Sequence, residues 1–170
     1  LPDVVVPAVI DGYPVYAIEN LRSPILTHVV VSEGIEEIGE FAFMHYLNRD
    51  EEYYVNNLVS VSLPQSLKVI SDWGFSGQEN LQEITFGGVE QIGRGAFSGC
   101  SKLTQITLPD TLTTIEWKAF EYSGLTSLTI PVNVSFIRDT SFIENCSSLT
   151  TLRVAEGNPY YEMEDGILYQ

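Results

Sequence analysis

One motif recurs along the chain at near-constant spacing, and few folds accommodate such a chain. The segments Leu58 to Pro64 (LVSVSLP), Leu81 to Gly87 (LQEITFG), Leu103 to Pro109 (LTQITLP), Leu125 to Pro131 (LTSLTIP) and Leu149 to Ala155 (LTTLRVA) start 23, 22, 22 and 24 residues apart. A second anchor follows each of the first four, at Ile70, Ile92, Ile115 and Ile137. Five residues after each Ile stands a phenylalanine: Phe75, Phe97, Phe120 and Phe142. A small residue precedes each ring: Gly74, Ala96, Ala119 and Ser141. Periods of this length are the signature of a solenoid, in which one coil cannot close a core alone and must stack on its neighbours.

Within LTQITLP the alternation at Ile106, Thr107 and Leu108 is that of a half-buried strand. Pro109 has no N–H to donate and ends it. The stretch ending in Ala-Phe reads as a brief turn of helix or 3₁₀ helix. Equivalent strands then lie about 4.8 Å apart in a parallel sheet. One predicted inward column is Val61, Ile84, Ile106, Leu128 and Leu152, and the Phe residues form another. An earlier copy runs through Val29, Val31, Ile38, Ala42 and Phe43. The whole chain, 1–170, thus reads as one repeat domain. It has a degenerate first unit over about 1–24, an insertion over about 44–57 and a terminal unit over about 149–170.

These residues are similar to the BspA-like, or Treponema-type, leucine-rich repeat. The copies LQEITFGGVEQIGRGAFSGCSK and Leu103 to Gly124 carry the resemblance most fully. VIDGYPVYAIEN and EGNPYYEMEDGILY resemble the first and terminal units of such arrays. Two departures are local: the acidic and aromatic insertion, and Gly87-Gly88 where other copies have a proline. The resemblance implies an α/β leucine-rich-repeat solenoid, horseshoe-like and right-handed, with short parallel strands and six to seven repeats of 22–24 residues. It also implies a bacterial protein that is secreted or displayed on the cell surface, where some relatives are adhesins. It brings no shared catalytic residues and no cofactor.

Composition excludes other classes. The chain carries 8 Lys+Arg against 23 Asp+Glu, a net charge of −15. That argues against nucleic acid, whose phosphates demand basic groups, and against an anionic membrane face. No run of about 18 apolar residues exists, so no membrane insertion is expected. Residue 1 is Leu, and no basic stretch precedes an apolar run. A segment whose signal peptide has been removed would read this way.

Catalysis finds little support. There are two histidines, His28 and His45, with no zinc-ligand spacing and no nucleophile context. Glu162, Glu164 and Asp165 lack the spaced oxygens of a calcium loop. Cys100 and Cys146 lie two repeats apart, too far for a disulfide, and are expected as two buried free thiols. The sequons at Asn133 and Asn145 are discounted in a bacterial setting.

The candidate ligand-binding surface is the exposed strand face. One column holds Ser60, Glu83, Gln105, Ser127 and Thr151 after His28; the next holds Ser62, Thr85, Thr107, Thr129 and Arg153 after Val30. Solenoid faces of this kind serve as extended binding surfaces. Ser and Thr also simply suit exposed strands. Tyr46, Tyr53 and Tyr54 in the acidic insertion form a second candidate, because a single-repeat insertion often maps to the binding face. The expected function is non-catalytic, extracellular protein recognition or adhesion. The partner would be a host or cell-surface protein with a basic patch. A glycan ligand, or service as a spacer for another domain, are the alternatives.

Overall fold

The computed structural model describes residues 3–19, 21, 26–44 and 57–170. The chain opens with β1 (Val4–Val6) and a hairpin of β2 (Val9–Ile10) and β3 (Tyr13–Pro14), then β4 (Ala17–Ile18). Successive copies supply strands in pairs: β5 (His28–Val31) with β6 (Glu37–Ile38), then β7 (Ser60–Ser62) with β8 (Val69–Ile70), then β9 (Glu83–Thr85) with β10 (Gln91–Ile92). β11 (Thr114–Ile115) follows, then β12 (Ser127–Ile130) and β13 (Phe136–Ile137). β14 (Thr151–Val154) and a terminal hairpin of β15 (Glu162–Glu164) and β16 (Ile167–Tyr169) complete the array.

Two parallel ladders run along the solenoid. The first comprises β1-β5-β7-β9 and, separately, β12-β14. The second is an unbroken sheet of six strands in the spatial order β4-β6-β8-β10-β11-β13. Register follows the repeat: Val61 sits beside Ile84, and Ile92 beside both Ile70 and Ile115. The second ladder is built on the Ile anchors, each preceded by one residue that completes a two-residue strand.

Two expectations are revised. The returns that end in Ala-Phe are turns rather than helix. Among the described residues the single helical element is a 3₁₀ segment, Thr140–Ile143, capped by Asp139. The strand face is also interrupted. Residues 103–109 adopt no strand, and no backbone hydrogen bond joins 105–108 to a neighbouring copy among the described residues. Two links remain at the start of that stretch: the Thr126 N–H and the Thr126 hydroxyl both donate to the Thr104 carbonyl, at 3.0 and 3.2 Å. The gap follows the copy that carries bulky Phe86 in a row that elsewhere holds Val31, Leu63, Leu108, Ile130 and Val154. Phe86 turns its ring edge to Phe97 at 5.7 Å, so the wider side chain is spent inward.

The core is a stack of rings. Phe43, Phe75, Phe97, Phe120 and Phe142 are all fully buried. Consecutive centroids from Phe43 to Phe120 lie 5.0, 5.4 and 5.6 Å apart with planes within 8° of parallel. Beside it runs a polar ladder that closes the Phe carbonyls. The Gln78 amide donates to the Phe43 carbonyl, the Cys100 thiol to the Phe75 carbonyl at 3.4 Å and the Cys146 thiol to the Phe120 carbonyl at 3.0 Å. Both cysteines are free thiols, but only Cys100 is buried as expected, and burial pushes it up to about 12; Cys146, nearer the end of the array, is half-buried.

Side chains also clamp copy to copy. Glu33 accepts from the N–H groups of Gln65 and Ser66 at 2.9 and 3.0 Å, which holds its carboxyl below the usual range. Gly87 and Gly88 are required by close packing. A Cβ at Gly87, where φ is +54°, would lie 2.0 Å from the Pro64 carbonyl oxygen, and one at Gly88 would lie 2.1 Å from that of Gln65. Losing the proline and one residue therefore tightens this copy against its neighbour. In the terminal unit, the Asn158 amide donates to the carbonyls of Pro131 and Val134, and Tyr161 Oη accepts the Ile137 N–H at 2.8 Å. These side chains engage backbone groups of the last full copy that a further copy would otherwise engage.

Candidate functional site

The exposed strand face forms a groove of about 1490 Å³. It follows from the period of two along each strand, which sends Val61 inward and Ser60 and Ser62 outward. Seven of the predicted residues line it: Ser60, Ser62, Glu83, Thr85, Gln105, Thr107 and Ser127. Thr129, Thr151 and Arg153 lie on the same face but do not line the groove. Tyr46, Tyr53 and Tyr54 lie outside the described residues, as does His45.

The groove is sparsely charged, and hydroxyl and amide side chains share its lining with Val30, Ile84 and Ile106. His28 Nδ1 lies 2.9 Å from Ser60 Oγ, and the Thr85 hydroxyl donates to Ser62 Oγ at 3.1 Å. These bonds run along the ladder and order the hydroxyl rows. Gln105, Thr107 and Ser127 line the groove and engage no side chain among the described residues. Asp3, Glu83 and Lys102 bring the charge, and Lys102 reaches Asn80 Oδ1 at 2.7 Å. Asp3, Ser101, Lys102 and Thr104 also line the groove and fall outside the two columns that periodicity picks out.

His28 faces a serine, and among the described residues no carboxylate is bonded to its ring as a triad requires. No group of three His, Cys, Asp or Glu among the described residues is placed to hold a metal ion. No helix among them is long and apolar enough to cross a membrane.

A second cluster, which the repeat pattern did not flag, lies at the turns before the ladder phenylalanines. In four copies one turn residue is left-handed: Phe41, Trp73, Gly95 and Lys118, at φ of 57°, 59°, 58° and 57°. The Phe41 N–H donates to the Asp72 carbonyl, Trp73 to Arg94, and Gly95 to Trp117, so these turns stack in register. Arg94 and Lys118 lie 5.6 and 4.9 Å from the Trp117 ring centre. Glu121 and then Glu144 hold the Lys118 ammonium above its ordinary value. The available signal was an aromatic or lysine standing where the Gly95 copy has glycine.

Comparison with known proteins agrees with this architecture. The family model for the BspA type leucine rich repeat region matches residues 21–150 as six copies. The leucine-rich repeat protein of Treponema pallidum is 30% identical with a TM-score of 0.75; the match covers 88% of this chain and 68% of that one. A leucine rich cell surface protein of Faecalibacterium prausnitzii is 27% identical with a TM-score of 0.63, covering 99% of this chain and 51% of that one. A leucine-rich repeat protein of Bacteroides ovatus shares the fold at 24% identity and a TM-score of 0.64, over 88% of this chain and 33% of that one. This chain therefore spans from one third to two thirds of the length of these proteins. Comparison with curated protein sequences finds no match. No enzyme family is indicated, and the repeat fold is generally a non-catalytic scaffold for protein interaction. The chain belongs to the BspA-type leucine-rich repeat family.

Proposed function

We propose that the chain is a recognition module of a bacterial cell-surface or secreted protein, and that it binds a protein partner across the strand-face groove. The observation that carries this reading is the groove itself, about 1490 Å³ and bounded by parallel rows of hydroxyl and amide side chains. Such rows offer both donors and acceptors to a peptide surface over several repeats. The family's Faecalibacterium member, described as a cell surface protein, supports the location. A net charge of −15 favours a partner with a basic patch, whose on-rate falls as salt rises.

Biolayer interferometry against immobilised fibronectin, fibrinogen and mucin, at low and high salt, tests it. Binding that slows at high salt and weakens about tenfold or more in Thr107→Arg is expected, because the arginine fills the groove. Full binding by Thr107→Arg, or an on-rate independent of salt, sinks the reading of this face.

A further inference from the structure

We propose that the first part of the strand-face groove seats an extended basic segment of the protein partner, laid along the solenoid axis, with cationic side chains four residues apart on Asp3 and Glu83. This rests on the reading of the groove as the recognition face.

The register sets the spacing. Val4 lies beside Val29, His28 beside Ser60, and Ser60 beside Glu83. One residue before Val4, Asp3 falls opposite His28. Asp3, His28, Ser60 and Glu83 thus form one column across the β1-β5-β7-β9 sheet, and all four line the groove. Three strand spacings separate Asp3 from Glu83, a distance of about 14 Å. Four residues of extended chain also cover about 14 Å. Side chains at alternate positions of an extended chain share one face. Two bases four residues apart therefore point together at the two carboxylates, and the residue midway between them lies over His28 and Ser60.

The two carboxylates are unspent. Among the described residues neither accepts a hydrogen bond or an ion pair. Carboxylates elsewhere are engaged: Glu33 by the N–H groups of Gln65 and Ser66, Asp72 by the Arg94 N–H and Glu90 by Lys68. Lys102, the cation of the groove lining, is bound to Asn80 and stands on the copy beyond Glu83. A single metal ion cannot bridge the column, because its oxygen ligands lie about 2.3–2.6 Å from it. Two separate cations on one chain can.

The shape and the flanking groups favour a peptide. β7 and β9 are three residues long, so the floor is about 10 Å across. An extended chain fits along such a floor, whereas a helix of about 10–12 Å diameter overhangs it. Beside the carboxylate column the Thr85 hydroxyl donates to Ser62 Oγ at 3.1 Å, which leaves the Ser62 hydrogen to donate to a peptide carbonyl.

Fluorescence anisotropy with labelled nonapeptides of Ser, Thr and Val tests the seat. One peptide carries two lysines four residues apart, a second carries them adjacent, and a third carries two glutamates. Unlabelled spermine supplies spaced cations without peptide groups. The four-apart peptide is expected to bind about threefold more tightly than the adjacent one, with a preference that fades at high salt. Asp3→Asn and Glu83→Gln, exposed and nearly isosteric, are each expected to keep the fold by circular dichroism and to erase the preference. Glu164→Gln, on the terminal hairpin, retains it. Four results overturn the proposal: no binding of the four-apart peptide at millimolar concentration, equal binding of the two lysine peptides, a preference that survives both carboxylate variants, or displacement by spermine at equal concentration. Equal binding of the lysine peptides while Thr107→Arg still weakens a protein partner overturns this seat and leaves the groove reading standing. Full protein binding by Thr107→Arg overturns both.

Discussion

Replacing Phe97 by alanine tests the ring stack at its centre. Phe97 is fully buried between Phe75 at 5.4 Å and Phe120 at 5.6 Å, and it meets the edge of Phe86 at 5.7 Å. A buried Phe→Ala change costs about 3–5 kcal/mol through lost transfer energy and the cavity left behind. Each aromatic pair adds about 0.5–1.5 kcal/mol beyond burial. With three pairs broken, Phe97→Ala belongs near the top of that span, at about 5 kcal/mol. Phe142 is as deeply buried but stacks on no ring among the described residues. Phe142→Ala should cost about 3 kcal/mol, and the difference of about 2 kcal/mol isolates the stack. Urea titration followed by far-UV circular dichroism, with slopes compared between variants, measures both. Equal losses would remove the stacking term. A Phe97→Ala loss under about 1 kcal/mol would refute the continuous core.

Three further outcomes are expected. Gly87→Ala should lose more than about 2 kcal/mol, because the new methyl meets the Pro64 carbonyl at positive φ; Gly166→Ala, at φ +80° in open space, should lose about 1 kcal/mol, and thermal melts rank the two. A thiol reagent at neutral pH should label the partly exposed Cys146 and spare the native, buried Cys100, whose pKa stands at about 12; equal labelling of both would break the buried polar ladder. Glu33 has a lowered folded pKa, so its clamp stabilises above the unfolded carboxylate value and is lost as pH falls through the folded one. The stability gap between wild type and Glu33→Gln should therefore close on acidification, and a gap that widens would reverse the assignment.

Much of this architecture was legible in the chain, because each legible element rests on a position that repeats. The Ile-to-Phe spacing placed the core, and the period of two placed the polar columns on one face. What escaped notice depends on how one copy sits against the next. LTQITLP is among the copies closest to the pattern, yet residues 103–109 form no strand and, among the described residues, 105–108 make no backbone bond to a neighbouring copy. The gap directly follows the copy that carries Phe86 and the Gly87-Gly88 pair. Trp73 and Trp117 escaped because they stand at turn positions the pattern leaves free. Of the predicted binding residues, Thr129, Thr151 and Arg153 fall beyond the groove because it ends near Ser127. The columns themselves continue through the β12–β14 pair, so periodicity places the face but not its limits.

The unpaired stretch also has a mechanical consequence. From β4 to β13 the second ladder is continuous, and it acts as a spine. The strand face is cut between β9 and β12. A rod with one intact cord and one severed cord flexes most readily at the cut, opening or closing the severed side. The groove spans that cut, with Ser60 and Glu83 on one side and Ser127 on the other. Bending at the cut would therefore change the distance between the two sides of the groove, while the second ladder stays paired.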